Sequence, residues 1–368
     1  MRDSDDLIDR LRLVRTESVG PVTYRRLMAR YGSAAAALAA LPRLARSAGR
    51  TTTPAIPSVR DATSEIEQTQ RLGGTFLFLG QPAYPPLLAM LDDAPPCLIV
   101  AGDVTALSDR AVAAVGGRNA SANGQRMAET LSADLARHVV VVSGLARGID
   151  TAAHKGALTT GRTVAAIAGG LDVPYPAENA DLQARIAAGG AVVTESPIGT
   201  IPQARHFPRR NRIIAGLALG VVVIEAAPRS GSLITARIAQ DVGREVFAVP
   251  GSPLDPRARG GNDLIRQGAM LVETAADVLD NLPDATTTPL FRTAMIEPEP
   301  AVEAADPPAD ARDAVLSLLS AEPTKVDDLV RRCQFSPSAV LAVLLELELA
   351  GRVQTLPGSR VALLSDAA

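Results

Sequence analysis

The sequence predicts an α/β protein: an extended Rossmann-like, doubly wound and mainly parallel sheet, preceded by a small helical domain and followed by a winged-helix-like domain. Three observations carry this. Six apolar runs recur through the middle of the chain without polar alternation, with helical sequence between them. The N-terminal stretch consists of short helical segments broken by Gly-containing turns. Beyond a stretch rich in Pro, Ala, Thr and acid, a helix-turn-helix pattern and a short hairpin close the chain.

Residues 1–65 are expected to form the helical domain. Helical segments alternate there with turns at SVGPVT (18–23) and YGS (31–33). A VGP turn leading into a helix resembles a helix-hairpin-helix element, whose N-terminal amides can hold a phosphate. A tight turn between two packed helices explains the same residues and is the preferred reading. Pro-rich TTTPAIPSVR (51–60) marks a weaker break before the next domain.

Residues 66–282 are expected to hold the Rossmann-like domain. Its apolar runs are VAAVG (112–116), VVVVS (139–143), TVAAIA (163–168), AVVTE (191–195), GVVVIE (220–225) and EVFAVP (245–250). Continuous apolar strands belong to a sheet buried on both faces. Such folds bind ligands beyond the strands' C-terminal ends, where this chain is rich in Gly, Arg and Ser. GGRNASANG puts Arg118 at a strand tip, and SGLARGIDTAAHKGAL puts Ser143, Gly144, Arg147 and Gly148 in a turn before His154 and Lys155. GGLDVPYPAEN follows the third run, and in APRSGSLITAR, Ser230, Gly231 and Ser232 open a helix. Each turn is able to aim backbone N–H groups and a positive helix end at an anion. Several such sites on one edge suit a polyanion better than one small ligand.

Residues 283–310 form the expected linker, and 311–368 a separately folding domain. The helix near 337–350 of that domain carries Glu346 and Glu348 and no cation. It would repel phosphates, which favours a protein-binding or dimer-modulating module over a duplex reader.

Composition and motifs exclude several classes. At 368 residues and 47% hydrophobic, the chain can bury a large core and hold more than one domain. A net charge of -3 rules out whole-surface attraction to nucleic acid, so such binding needs a concentrated groove. The acidic start MRDSDDLIDR and the lack of an uninterrupted membrane-length apolar run give an expected cytoplasmic location and no membrane partner. Cys97 and Cys333 stand far apart, with no CxxC and no His at ligand spacing, so neither a metal nor a disulfide is expected. No GxxxxGK[ST] occurs, and GGRNASANG lacks the GxGxxG spacing, so no nucleotide cofactor is expected. His138, His154 and His206 form no triad motif, and no GxSxG elbow is present. Asp150 and Glu225 are the acids best placed for chemistry, but acids at such positions commonly hold loops or helix ends. Binding is therefore preferred to turnover, and no catalytic residue is assigned.

One segment has a distinct chemistry. In PIGTIPQARHFPRRNRIIAGLALGVVVIE (197–225), Arg205, Arg209, Arg210 and Arg212 crowd Phe207, with no acid between Glu195 and Glu225. Arginine forks neutralise phosphates and an aromatic face stacks on an unpaired base, a combination suited to single-stranded nucleic acid. Ordinary surface charge at a helix start explains the run equally well.

The ordered set YPPLLAMLDDAPPCLIVAGD, AAVGGRNASANG, SGLARGIDTAAHKGAL, GGLDVPYPAEN, FPRRNRIIAGL, VVVIEAAPRSGSLITARIAQDVGREVFAVPG and GGNDLIRQGA, over roughly residues 70–280, resembles the DprA/Smf family of DNA-processing proteins. The resemblance implies a Rossmann-like domain that binds single-stranded DNA as a homodimer and helps load a RecA-type recombinase onto DNA taken up in natural transformation. It implies Arg118 and the FPRRN residues Phe207, Arg209 and Arg210 as DNA-binding positions. The turns add Ser143, Gly144, Arg147, Gly148, Lys155, Asn211, Ser230, Gly231 and Ser232 as candidates, and Arg205 as a neighbouring phosphate contact. Leu264, Ile265 and Met270 in GGNDLIRQGAM offer a dimer interface, although core packing suits each of them too. The rival from another class is a phosphoribohydrolase-like enzyme that cleaves nucleotides. Its PGGxGTxxE loop has a counterpart position in APRSGSLITAR, but the second Gly and the catalytic Glu are absent.

Overall fold

A computed structural model describes residues 2–47, 54–283, 308, 310–356 and 358–364. These divide into two compact units. One holds described residues of 1–64, 92–96 and 296–368, the other those of 65–91 and 97–295. The expected linker lies almost wholly outside the described residues.

The larger unit is built on a nine-stranded sheet. Helices α1 (Arg2–Arg15), α2 (Pro21–Tyr31), α3 (Ala34–Ser47) and α4 (Val59–Arg71) precede it, the last running through the expected boundary at 65/66. β1 (Gly74–Phe78), α5 (Pro86–Ala89) and β2 (Cys97–Gly102) follow, then β3 (Ala111–Val115), α6 (Ala122–Leu135), β4 (Val140–Ser143), α7 (Ile149–Ala157) and β5 (Thr163–Ala166). Next come α8 (Ala180–Gly189), β6 (Ala191–Thr194), α9 (His206–Leu217), β7 (Gly220–Val223), α10 (Gly231–Asp241) and β8 (Glu245–Ala248). α11 (Arg259–Arg266), β9 (Met270–Leu271) and α12 (Ala275–Leu279) complete this unit.

The strand order is β1-β2-β6-β5-β4-β3-β7-β8-β9. β3 to β9 pair in parallel, while β1 and β2 add an antiparallel edge that the sequence reading did not place. All six apolar runs became strands, and β3, β4, β5, β6 and β7 are buried along their whole length. Val112, Ala114, Val141 and Val222 pack with Ala128, Leu131 and Leu135 of α6 and Ala153 of α7. α9 and α10 pack on each other and on the sheet. Side chains that alternate across a strand are thus covered both ways, so Val and Ala fill both parities. β3 sits between β4, which follows it, and β7, which returns from the far edge. The crevice beyond these two strands is where a doubly wound sheet holds ligand.

The smaller unit joins the two ends of the chain. α13 (Ala311–Leu318), β10 (Thr324–Lys325), α14 (Val326–Cys333), α15 (Pro337–Leu349), β11 (Val353–Leu356) and β12 (Arg360–Leu363) form a helix-turn-helix and a three-stranded antiparallel sheet, the winged-helix arrangement. Ser336 starts α15 by accepting from the Ala339 amide. The domain was read from sequence as folding separately, with an acidic face on α15. Instead, Leu345 and Leu349 are buried in one core with Leu13, Tyr24, Leu27 and Leu41 of α1–α3. Glu346 is 3% exposed and bonded to Arg312 at 2.6 Å, and Glu348 pairs with Arg26 of α2 at 3.6 Å. Burial pulls the Arg26 pKa down and Glu348 opposes this. Both acids therefore face protein.

Candidate nucleic-acid interface

The tips of β3, β4, β5 and β7 open into a cleft of about 630 Å³. Its lining combines five arginines, Arg118, Arg147, Arg210, Arg229 and Arg257, with two acids, Asp150 and Glu225. Phe207, Tyr175, Pro202, Pro208 and Ile234 supply an apolar part.

Both acids serve the scaffold. Glu225 follows β7 and its carboxylate accepts from the Ser121 amide at 3.1 Å and the Ser121 hydroxyl at 2.8 Å, at the start of α6. Its backbone carbonyl takes the Gly117 amide at 2.6 Å, and Arg257 Nε lies 3.3 Å from its carboxylate. In dinucleotide-binding folds this first helix end meets the pyrophosphate. A carboxylate fills it here, so the GGRNASANG turn does not present its helix end to an anion as expected. Asp150, 6% exposed at the start of α7, accepts from the Ala146 amide at 3.4 Å. Burial pushes its carboxyl up to about 6, while the Arg210 charge and the amides of Ala146, Gly144 and Gly116 act the other way.

Arg210 spans the floor. Its Nη1 donates to the carbonyls of Gly144, after β4, and Ala166, at the end of β5. It is 6% exposed, and burial brings its pKa down to about 10 with Asp150 opposing. A Cβ at Gly144 would collide with this guanidinium, so any side chain there would displace Arg210 from its place on the floor. Gly148 has φ +76°, and a Cβ would press on the Gly117 and Arg118 carbonyls. Beneath the floor, His154 is fully buried with Nδ1 2.8 Å from the Thr163 hydroxyl, and burial lowers its pKa to about 3. It is neutral and belongs to the core.

The mouth is aromatic and cationic. The Arg118 guanidinium lies 4.8 Å from the centre of the Phe207 ring and that of Arg210 6.0 Å from it. Tyr175, in the turn after β5, meets Phe207 at 5.5 Å between centroids, tilted 53°. Across the cleft, Ser230 caps α10, accepting from the Ser232 amide at 3.4 Å and sharing a 2.8 Å bond with its hydroxyl. Arg229 before it is exposed and has φ +67°. Arg147 is exposed and makes a two-pronged pair with Glu178 at 2.8 and 2.9 Å. That pair lies in water, where it stabilises by at most about 1 kcal/mol and a phosphate can displace it.

Of the sequence candidates, Arg118, Gly144, Arg147, Phe207, Arg210, Asn211, Ser230, Gly231 and Ser232 meet in this cleft. Ser143 does not: it is fully buried and its hydroxyl donates to the Ala114 carbonyl at 2.6 Å. Gly148 shapes the turn, and Lys155 and Arg205 are exposed outside the cleft lining. Arg209 also lies outside, paired with Glu195 at 2.8 Å, and Glu195 bonds the buried Arg212 as well. The acid-free run thus acquires an acid from the turn after β6 that linear reading could not supply. Leu264 is buried, Ile265 half-buried, and Met270 is 39% exposed on the edge strand β9. Sequence reasoning missed Asn119, Tyr175, Arg229 and Arg257. Asn119, Tyr175 and Arg229 stand in turns that follow apolar runs, and that position was the available signal. Among the described residues, no group of three His, Cys, Asp or Glu is able to hold a metal, and no helix is long and apolar enough to cross a membrane.

Comparison with known proteins agrees with this architecture. Residues 75–283 match the model of DNA recombination-mediator protein A. Residues 4–67 match a DprA-like N-terminal helix-hairpin-helix domain, and 299–359 a DprA winged helix domain. Protein Smf of Escherichia coli is 42% identical over 290 residues, 76% of this chain and 75% of that one. DNA processing protein DprA of Streptococcus pneumoniae is 48% identical over 197 residues, 53% of this chain and 70% of that one. A crystal structure of the S. pneumoniae protein superposes with a TM-score of 0.59 at 42% identity, covering 62% of this chain and 79% of that one. A structure of DNA processing protein A from Helicobacter pylori, concerned with its unique single-stranded DNA binding mode, gives 0.52 at 28% identity, covering 57% and 95%. With a family model over more than half its length and a relative this similar, the chain belongs to the DprA/Smf family.

Proposed function

We propose that this protein binds single-stranded DNA, without reading its sequence, in the cleft beyond β3, β4, β5 and β7. In this reading it protects incoming DNA and helps load a RecA-type recombinase during transformation, acting as a homodimer through the region of the half-buried Ile265 and the exposed Met270, with Leu264 left to the core. The carrying observation is Arg118 stacked at 4.8 Å on Phe207 at the mouth of an arginine-lined cleft. A phosphate draws such a guanidinium off the ring, and the freed face can take a base. Phosphate contact and stacking need no base edge, so every sequence binds alike. Arg118, Arg229 and Arg147 are the exposed phosphate partners, whereas Arg210 acts from below by holding the β4 and β5 tips. The single-strand-binding relative from H. pylori supports the same use of the fold. The consumed Glu225 carboxylate and the Asp150–Arg210 floor argue for binding rather than turnover.

Fluorescence anisotropy of labelled oligo-dT against matched duplex, over a salt series, tests the reading. Preferential single-strand binding is expected, with log K falling by about 0.7 per phosphate contact for each decade of salt. No binding at low salt would refute it.

A further inference from the structure

Phe207 is the aromatic to which the sequence points, yet its ring is already engaged by Arg118, Arg210 and Tyr175. It is half-buried at the start of α9. Tyr175 differs: it lines the same cleft and is 49% exposed. The tilted contact with Phe207 fixes one part of the tyrosine and leaves the rest in water. An exposed aromatic beside Val173, Pro202 and Pro208 extends the apolar part of the cleft beyond Phe207. Aromatic rings bury much area for little conformational cost, and every base offers a face to stack.

We propose that Tyr175 is a second base platform beside Phe207, stacking an unpaired base of the bound strand, with Phe207 as the neighbour that positions it. The inference rests on reading the cleft as a single-strand site. It gives neighbouring rings related parts: Phe207 holds Tyr175 in place and offers a base the face that Arg118 vacates, and Tyr175 stacks a further base on its exposed part. The phosphate track and the base track then run on different residues of one cleft. Loss of Tyr175 should cost affinity without changing the number of phosphate contacts.

The test compares oligo-dT with a strand of equal length whose nucleotides are abasic. Tyr175→Ala should weaken oligo-dT binding about tenfold, which is about 1.4 kcal/mol, with an unchanged salt slope and no loss on the abasic strand. Tyr175→Phe should restore the wild-type affinity, since stacking needs the ring and not the hydroxyl. The chain has no tryptophan, so Tyr175→Trp reports from this position alone, and saturating oligo-dT should quench it. Equal loss on both strands would mean a structural role and would overturn the proposal. So would undiminished binding by Tyr175→Ala, or unquenched emission from Tyr175→Trp at saturation. If wild-type protein fails to bind oligo-dT at all, the cleft reading and this inference fall together. If it binds while Tyr175 is indifferent, this inference alone falls.

Discussion

Helix α15 couples the C-terminal domain to the N-terminal helices, and Leu345→Ala measures how strongly. Leu345 and Leu349, one turn apart, are 2% and 0% exposed and share a core with Tyr24, Leu27, Leu38, Leu41 and Leu44. Cutting a fully enclosed leucine to alanine costs about 2–5 kcal/mol through lost transfer energy and the cavity left behind. That is a large fraction of the ~5–15 kcal/mol that holds a domain folded. Hydrogen exchange reads the effect by region. At about 1.4 kcal/mol per tenfold, the slowest amides of α2 and α3 should exchange roughly 30-fold faster or more in the variant. These amides are some 300 residues away in sequence, so only a shared core transmits the change. Acceleration confined to residues 311–364 would refute the coupling. The ion pair supplies a second handle, because Arg26→Glu sets like charges against each other at a pair 3.6 Å apart and Glu348→Arg should rescue it. Failure of that rescue would mean the pair adds nothing to the leucines.

Other substitutions separate the roles within the larger unit. Arg118→Ala should weaken oligo-dT binding for every sequence and lower the salt slope by about 0.7, seen by anisotropy; an unchanged slope would remove Arg118 from the phosphate track. Glu225→Ala strips the Ser121 amide and hydroxyl of their acceptor and should lower stability by about 1–3 kcal/mol in urea melts; full stability would discount the cap. Asp150 and His154 act oppositely with pH. Asp150, raised to about 6, contributes stability that is full at low pH and fades as pH climbs towards 6. His154, lowered to about 3, contributes stability that is full above its ordinary 6.5 and is lost as pH falls. Asp150→Asn removes the compensating group, so its urea midpoint should drop more steeply than wild type between pH 6 and pH 4. Parallel profiles would contradict the opposition. Deleting residues 311–368 should leave oligo-dT binding intact while α2 and α3 lose protection; loss of binding would assign DNA contact to the winged helix.

The sheet was legible because its strands are buried on both faces, so Val and Ala run unbroken through 112–115, 140–142 and 221–223. The edge strands β1 and β2 were not placed: GTFLF and CLIVAG stand beside turn-rich sequence and pair antiparallel. Strand tips located Arg118 and Ser230, since a turn after an apolar run is a local pattern, and the arginine-rich run around an aromatic singled out Phe207 and Arg210. What the linear view lost was pairing across the fold. Nothing near 205–212 announces that Glu195 neutralises Arg209 and bonds Arg212, or that Glu225 fills the first helix end. Likewise Arg210 reads as one more surface cation, although carbonyls from two strand tips draw it inside. In α15 the acids read as solvent-facing because Arg26 and Arg312, their partners, are remote in sequence.

Photo-crosslinking of a thiothymidine oligonucleotide, with the attached residues mapped by mass spectrometry, tests most directly where DNA sits. Crosslinks are expected at Tyr175, at Phe207 and in the 116–119 and 228–232 turns, all reduced by Arg118→Ala. Crosslinks confined to α1–α3 or to residues 311–364 would contradict it.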